Sequence, residues 1–289
     1  MAPIIVVIAA GEMGAAIGQR LRLRGASVRT SLKGRSDATI ARAKAAGLAA
    51  IEDDASLVAD ADFVLSVMPP GEAKNLAKRL APLLSAQQRK PVFADCNAVA
   101  PETAREIAAV IAPTGCTFAD IGIVGGPPPK EGDASPRLYA SGDGARRALA
   151  LKDFGLDIRL VEGGVGEASA VKMGYACLTK GSQAIGAAMM LGAMRNRVSH
   201  HVKDALGDSL PELLGYSSRQ MPRMFPKAYR WVAEMEEIAK FLAADPGASQ
   251  MLAGAAKLYQ QIATDFETRA PEGTVTIIEG FLKTGAKPQ

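Results

Sequence analysis

Short apolar, β-branched runs separated by helical patterns fill the first half of the chain. IIVVIA (4–9), SVRTSL (27–32), DFVLSVM (62–68) and PVFAD (91–95) read as strands, as do CTFADIGIV (116–124), RLYASG (137–142) and DIRLV (157–161). Helical spacing follows each of the first three, ending near Arg24, Gly47 and Leu84. Strands that alternate with helices predict βαβ units and a mostly parallel sheet. Both faces of such a sheet are covered, which is why these runs are continuous rather than alternating in polarity. After about Val161 the pattern changes. EGGVGEAS is a glycine-rich hinge, and the remainder reads as helices, including a long segment over 168–194 and MFPKAYRWVAEMEEIAKFLA over 224–243. The expected architecture is an α/β domain with a doubly wound parallel sheet in residues 1–162, followed by an all-α domain in residues 163–289.

Composition narrows the classes of partner. With 48% hydrophobic and 22% charged residues, the 289-residue chain has the balance of an ordinary globular protein with a sizeable core. A net charge of +4, scattered basic residues and only 5% aromatic residues leave little stacking surface, so nucleic acid is not an expected partner. Cys96, Cys116 and Cys177 are widely spaced and include no C-x-x-C pair. Neither a disulfide framework nor a metal site is expected from them, and a reducing cytoplasm suits them best. The N-terminal apolar run is short and lacks a basic region before it, so it reads as a strand rather than a signal peptide. Lys172 and Lys180 interrupt the 168–194 segment, which argues for a buried helix and against a membrane span.

The first strand runs into AAGEMGAAIG, where a dinucleotide fingerprint G-x-G-x-x-G places Ala9, Gly11 and Gly14 at its three glycine positions. Alanine at the first is a mild loss of one turn glycine, while Gly11 and Gly14 keep the close approach to pyrophosphate and the packing of helix on strand. Residues Ala10, Gly11, Glu12, Met13 and Gly14 are therefore expected to cradle a cofactor in a Rossmann-type domain. At the end of the second strand an NAD site usually places an acid on the ribose hydroxyls. Here the sequence is LKGRSD, and Lys33, Arg35 and Ser36 instead suit an extra ribose phosphate, so NADP(H) is the expected cofactor.

Together these stretches resemble the β-hydroxyacid dehydrogenase family, which includes 3-hydroxyisobutyrate and 6-phosphogluconate dehydrogenases and is related to the imine reductases. GEMG (11–14) is similar to the family's cofactor loop and DADFVLSVMPP (60–70) to its fourth-strand segment. DCNAVAP (95–101) is similar to its D-x-S-T-x-x-P loop and DIGIVGG (120–126) to its D-A-P-V-S-G-G. GGVGEASAVKMGYA (163–176) resembles the signature G-x-x-G-x-G-x-x-x-K-x-x-x-N and places Lys172 on the family's catalytic lysine. RWVAEMEEIA (230–239) resembles a less characterised branch with its own C-terminal domain. The resemblance further implies that Met68, Pro69 and Asn97 line the cofactor, and that Asn97, Gly125 and Gly126 face the substrate.

The chemistry of the residues supports the same reading. Reducing a carbonyl by hydride builds negative charge on oxygen, which an ammonium stabilises and then protonates; in reverse, a neutral lysine takes the proton from an alcohol. Lys172 on an apolar helix suits both tasks, with burial lowering its pKa toward the working range. Lys180, two turns further on, is the second candidate acid, and Tyr175 is a possible helper. Ala98, Val124 and Ala176 stand where the family has polar side chains, which predicts a wider, less polar substrate pocket. The expected function is NADP(H)-dependent oxidoreduction at a hydroxyl or carbonyl carbon of a small organic substrate. An imine reductase-type enzyme and a non-catalytic cofactor-binding scaffold are the alternatives. The Gly- and Ala-rich helix over 168–195 predicts a homodimer.

Overall fold

The structure, a computed structural model, describes residues 2–129, 132 and 134–284. The chain divides into two compact units, residues 1–174 and 175–289. The first contains β1 (Ile4–Ile8), α1 (Glu12–Leu23), β2 (Ser27–Thr30), α2 (Asp37–Ala45), β3 (Ala49–Ala50), α3 (Asp54–Val58) and β4 (Phe63–Ser66). It continues with α4 (Pro70–Ala86), β5 (Val92–Asp95), α5 (Pro101–Ile111), β6 (Thr117–Val124), β7 (Arg137–Ser141), α6 (Ala145–Ala148) and β8 (Asp157–Leu160). Helix α7 (Glu167–Arg195) starts in this unit and ends in the second. The second unit adds α8 (Ser199–Ser209), α9 (Pro211–Met224), α10 (Ala228–Phe241), α11 (Pro246–Thr268) and α12 (Thr274–Lys283), with no strand among its described residues.

The strands form one sheet in the order β3-β2-β1-β4-β5-β6-β7-β8, parallel throughout except that β7 runs antiparallel to β6. The expected fold class, a mostly parallel Rossmann-type sheet followed by helices, is what the chain adopts. Alternate residues of β1 feed two separate cores. Ile5 and Val7 join α1 on one face, and Val6 and Ile8 join α4 and α5 on the other. A strand with two apolar faces has no polar side to alternate with, which explains its continuous apolar run. Strand β3 was invisible to that logic, because it is two exposed alanines at the sheet edge.

The helix expected over 224–243 is broken at its start. Phe225–Lys227 forms a 3-10 turn around Pro226, and α10 begins at Ala228. Proline supplies no N–H and its ring opposes the preceding helical turn, so the apolar periodicity continues while the helix does not. Within the second unit, Tyr259 of α11 is fully buried and meets Trp231 of α10 edge to face, with ring centroids 5.3 Å apart. Both ends of α12 are capped by side chains from other helices. The Asp265 carboxylate accepts from the Thr274 N–H, and the Lys203 ammonium donates to the carbonyls of Leu282 and Thr284. Among the described residues no helix is long and apolar enough to cross a membrane.

Candidate active site

Strand β1 lies between β2 and β4, so the chain's connections leave in opposite directions at the C-terminal ends of β1 and β4, where open α/β sheets hold their ligands. Gly14 brings α1 down onto that end of β1. A Cβ at Gly14 would lie 2.0 Å from the Ala9 carbonyl oxygen, a separation no side chain tolerates. Gly11, the N-cap of α1, meets nothing within 4 Å where a Cβ would stand, and no side chain caps the helix. The first amides of α1 are therefore presented beside open space, as an anion requires. Ala10 is buried, Met13 is half-buried and Glu12 is exposed in the first turn. Across the switch point the Met68 N–H donates to Asn97 Oδ1, which joins the ends of β4 and β5 next to the exposed Pro69.

The connection from β2 to α2 supplies a second polar cluster. Lys33 and Ser36 are exposed and Arg35 is half-buried. Ser36 Oγ lies 3.2 Å from Thr39 Oγ1, which also accepts from Arg42 Nη2 at 3.0 Å. Arg42 Nε is buried and makes no hydrogen bond among the described residues. Thr39 and Arg42, which join this cluster, were not legible in the sequence. They lie in the first and second turns of a helix, where hydroxyls and guanidinium groups usually face water.

A row of polar side chains crosses the α4/α5 face of the sheet. Ser66, Asp95, Asp120 and Ser141 occupy successive in-register positions on β4, β5, β6 and β7, and each is essentially fully buried. Asn97 Nδ2 donates to Ser66 Oγ at 2.8 Å and to Asp95 Oδ1. Its carbonyl oxygen already serves Met68, so its side chain, 3% exposed, is spent on joining two strands. Asp95 Oδ2 has no partner among the described residues. Burial, and then the neighbouring Asp120 carboxylate, push the Asp95 carboxyl up to about 8. Asp120 is raised by burial as well, but donors from β7 and the start of α7 surround it. Its Oδ2 accepts from the Gly166 N–H at 2.9 Å, the Ser169 N–H at 3.0 Å and Ser141 Oγ at 3.2 Å, and its Oδ1 accepts from Ser169 Oγ at 2.7 Å. Ser141 Oγ in turn accepts from the Ala168 N–H at 3.0 Å.

Lys172 follows one turn after Ser169. Its ammonium forms no ion pair or hydrogen bond among the described residues, and burial alone lowers it from the ordinary lysine value to about 8. Gly122 on β6 makes room for this turn, since a Cβ there would lie 2.4 Å from the Ala168 carbonyl oxygen and 3.0 Å from Lys172 Cβ. The same strand ends at Gly125 and Gly126, both exposed; Gly125 has φ +124° and a Cβ at Gly126 would meet nothing within 4 Å. The other residues expected on the substrate side lie in the second unit. Tyr175 is exposed. Lys180 is ion-paired with Glu234, stands over the Trp231 ring at 5.2 Å, and its carbonyl accepts from the Tyr259 hydroxyl at 2.6 Å. A lysine so engaged is a poor proton donor to anything else, which leaves Lys172 as the available ammonium of the pair.

Comparison with known proteins places this geometry. Residues 4–145 match the family of the NAD binding domain of 6-phosphogluconate dehydrogenase. The N-terminal domain belongs to that family. Residues 193–262 match a domain of unknown function, DUF1932, in keeping with the expected branch that carries its own C-terminal domain. An uncharacterised 28.5 kDa protein in the 7S RNA 5′ region of Methanothermus fervidus is 31% identical over 61% of this chain. The match spans 64% of that relative, less than two thirds of its length. A conserved protein of unknown function, described as structurally similar to 3-hydroxyacid dehydrogenases, superposes with a TM-score of 0.65 at 27% identity, covering 92% of this chain and 99% of the other. The 3-hydroxyisobutyrate dehydrogenase of Mycobacterium tuberculosis, solved with L-serine, shares the fold with a TM-score of 0.71 at 21% identity, over 98% of this chain and 100% of that one. An NAD(P)-binding domain of the 6-phosphogluconate dehydrogenase family, in a dehydrogenase-like fold, is thus established.

Asp95 and Asp120 are both pushed up by burial, and the sequence offers a signal for them: each is a carboxylate ending or interrupting an apolar strand. The Asp95 shift has a measurable consequence. Its carboxyl titrates near 3.8 in an unfolded chain and near 8 in the native one, so the native state holds the extra proton between those values. Stability then falls as pH rises from about 4 to about 8 and levels off above. Asp95→Asn mimics the protonated acid and has nothing to lose over that window. Thermal melts at pH 5 and pH 8 should show the variant gaining on the parent by on the order of 2–5 kcal/mol. A difference that does not change with pH would refute the shift.

Proposed function

We propose that the protein is an NADP(H)-dependent oxidoreductase that moves a hydride between the nicotinamide and a hydroxyl or carbonyl carbon of a small organic substrate, with Lys172 as acid and base. The observation that carries the proposal is the half-buried Lys172 ammonium, lowered by burial and without a partner among the described residues, on the first turns of a helix seated against the NAD-binding sheet. The bound dinucleotide supplies the hydride in one direction and accepts it in the other. In reduction, Lys172 Nζ donates a hydrogen bond to the carbonyl oxygen as charge builds there, then gives up its proton and becomes the neutral amine. In oxidation the neutral amine takes the hydroxyl proton. A value of about 8 keeps both forms within reach of neutral pH.

Cofactor choice follows from the β2–α2 connection. Arg35, Lys33, Ser36, Thr39 and Arg42 offer cations and hydroxyls to a ribose phosphate, and no acid takes the place that would hold a free 2′-hydroxyl. The pyrophosphate would lie on the α1 amides beside Gly11. Gly125 and Gly126 offer backbone N–H groups to a substrate oxygen, and Ala98 and Val124 make the surroundings less polar than in the small hydroxyacid enzymes. Bulkier, partly apolar carbonyl compounds are therefore the proposed substrate class. A homodimer belongs to the same proposal. In the second unit, Leu178, Ile185 and Met251 protrude with 74%, 63% and 57% exposure beside an apolar groove of about 210 Å³ lined by Gly181, Ala184, Ala188 and Ala255. Knobs and hollows on one patch suit a two-fold interface, in which each copy presents both.

Three outcomes are expected. Arg35→Ala should weaken NADPH binding by about ten- to a hundredfold while barely changing NADH, the loss of a charge-assisted bond to phosphate; titration of both cofactors by fluorescence decides this, and equal weakening would contradict it. In a panel of aldehydes, ketones, hydroxy acids and cyclic imines followed by NADPH absorbance, Lys172→Ala should lose about two to four powers of ten in kcat with cofactor affinity intact; an active Lys172→Ala enzyme would remove the assigned role. Light scattering at micromolar concentration should give a dimer, and Ile185→Glu should give a monomer; a monomeric parent protein would exclude the interface.

A further inference from the structure

Strand β6 touches α7 twice on one face. Asp120 clasps the amides of Gly166 and Ser169, and two residues later Gly122 leaves the hollow into which the Ala168 carbonyl and Lys172 Cβ fit. A helix start normally leaves its first N–H groups to water or to a cap from the preceding residues. Here the amides of Gly166, Ala168 and Ser169 all donate to side chains of the sheet, Asp120 and Ser141. The first turn of α7 therefore has its height and register fixed by β6 and β7. The residue one turn further on is Lys172.

Asp120 performs this best as an anion, because a carboxylate accepts from several donors at once and interacts favourably with the positive end of a helix. The difficulty is Asp95, its in-register neighbour on β5, strand neighbours being only about 4.8 Å apart. Two buried carboxylates at that distance do not both ionise until the pH is well above the ordinary carboxylate range. The surrounding donors decide which keeps the proton: Asp120 has donors on both oxygens, whereas Asp95 Oδ2 has none among the described residues.

We propose that Asp120 is a positioning residue that holds Lys172 in its desolvated place through Gly166 and Ser169, and that the neutral acid Asp95 beside it lets Asp120 do so as an anion. The kinetic consequence rests on the reading of Lys172 given above; the placement itself does not. Other ionisable groups around the clasp are Glu167 on α7, Arg105 on α5 beside Gly166, Asp143 after β7, which accepts from the Phe118 N–H, and Cys96, whose thiol burial pushes up. None of them donates to Asp120.

The test reads Lys172 directly. In the full-length protein carrying 13C at lysine Cε, with the Lys172 resonance assigned through Lys172→Arg, the midpoint of the parent protein is expected at about 8. In Asp120→Asn the turn loosens, water reaches the ammonium, and the midpoint should rise by at least about one pH unit toward the ordinary lysine value. The sign is diagnostic, because removing an anion by charge alone would lower it. Asp95→Asn should leave the midpoint where it is. A midpoint in Asp120→Asn that stays or falls overturns the proposal, as does a rise in Asp95→Asn. Should Asp120→Asn fail to fold, Ser169→Ala removes a single donor and should raise the midpoint by a few tenths of a unit; no rise overturns the proposal equally. If the panel yields a substrate, Asp120→Asn should lower kcat about ten- to a hundredfold per folded molecule with cofactor KM unchanged. A raised midpoint in a protein that turns over nothing would support the placement and sink the proposed reaction.

Discussion

A carboxylate sealed between a sheet and its covering helix is costly unless donors replace the water it has lost, and Asp120 has them on both oxygens. What makes the arrangement consequential is that the donors come from two elements distant in sequence from β6. Ser141 belongs to the antiparallel β7, and Gly166 and Ser169 to the start of α7. One buried charge thus fixes where a 29-residue helix begins. The glycine-rich EGGVGEAS stretch ahead of it has positive φ at Gly163 and Gly166, so the chain itself imposes little direction there. Direction is imposed by the clasp.

The nucleotide end of the sheet depends on the opposite strategy. At Gly14 the side chain is omitted so that α1 can touch β1, and at Gly11 space is left and the helix amides stay uncapped. At the start of α1 the N-cap residue has no side chain to supply a cap, whereas at the start of α7 the sheet supplies acceptors. Both use the same property of a helix start, the surplus of N–H groups with a partial positive charge. The sheet therefore carries two helix N-termini built differently, one at the switch point behind a glycine N-cap and one clasped by Asp120.

The fold, and part of the candidate site, were legible in the sequence for physical reasons. Continuous β-branched runs report strands buried on both faces, and they located seven of the eight strands found among the described residues. The missing one, Ala49–Ala50, buries nothing and so leaves no apolar signal. Gly11, Gly14 and the basic residues after β2 were readable as candidates, because close backbone approach and phosphate binding each restrict residue type. Asn97 and Lys180 were identifiable as polar residues in unusual places, yet their partners were not. That Asn97 joins Ser66 to Met68, and that Lys180 pairs with Glu234, depends on strand register and helix packing that no local pattern encodes. The Asp95–Asp120 pair was hidden for the same reason. Two aspartates 25 positions apart in sequence become in-register neighbours only when β5 and β6 pair.

Register also links the chemistry to the anchor. Burial brings Lys172 down to about 8 and brings Asp95 up to about 8, so the base form of one and the charged form of the other arise over the same range of pH. On the proposed reading, raising the pH prepares Lys172 to accept a proton from an alcohol. It also places a second negative charge beside the carboxylate that holds the helix, and like charges in a dry site repel. Below that range Lys172 is an acid and Asp95 is neutral, so the clasp carries a single negative charge. The packing of β5 against β6 therefore sets the pH range over which the anchor of the proposed acid keeps that single charge.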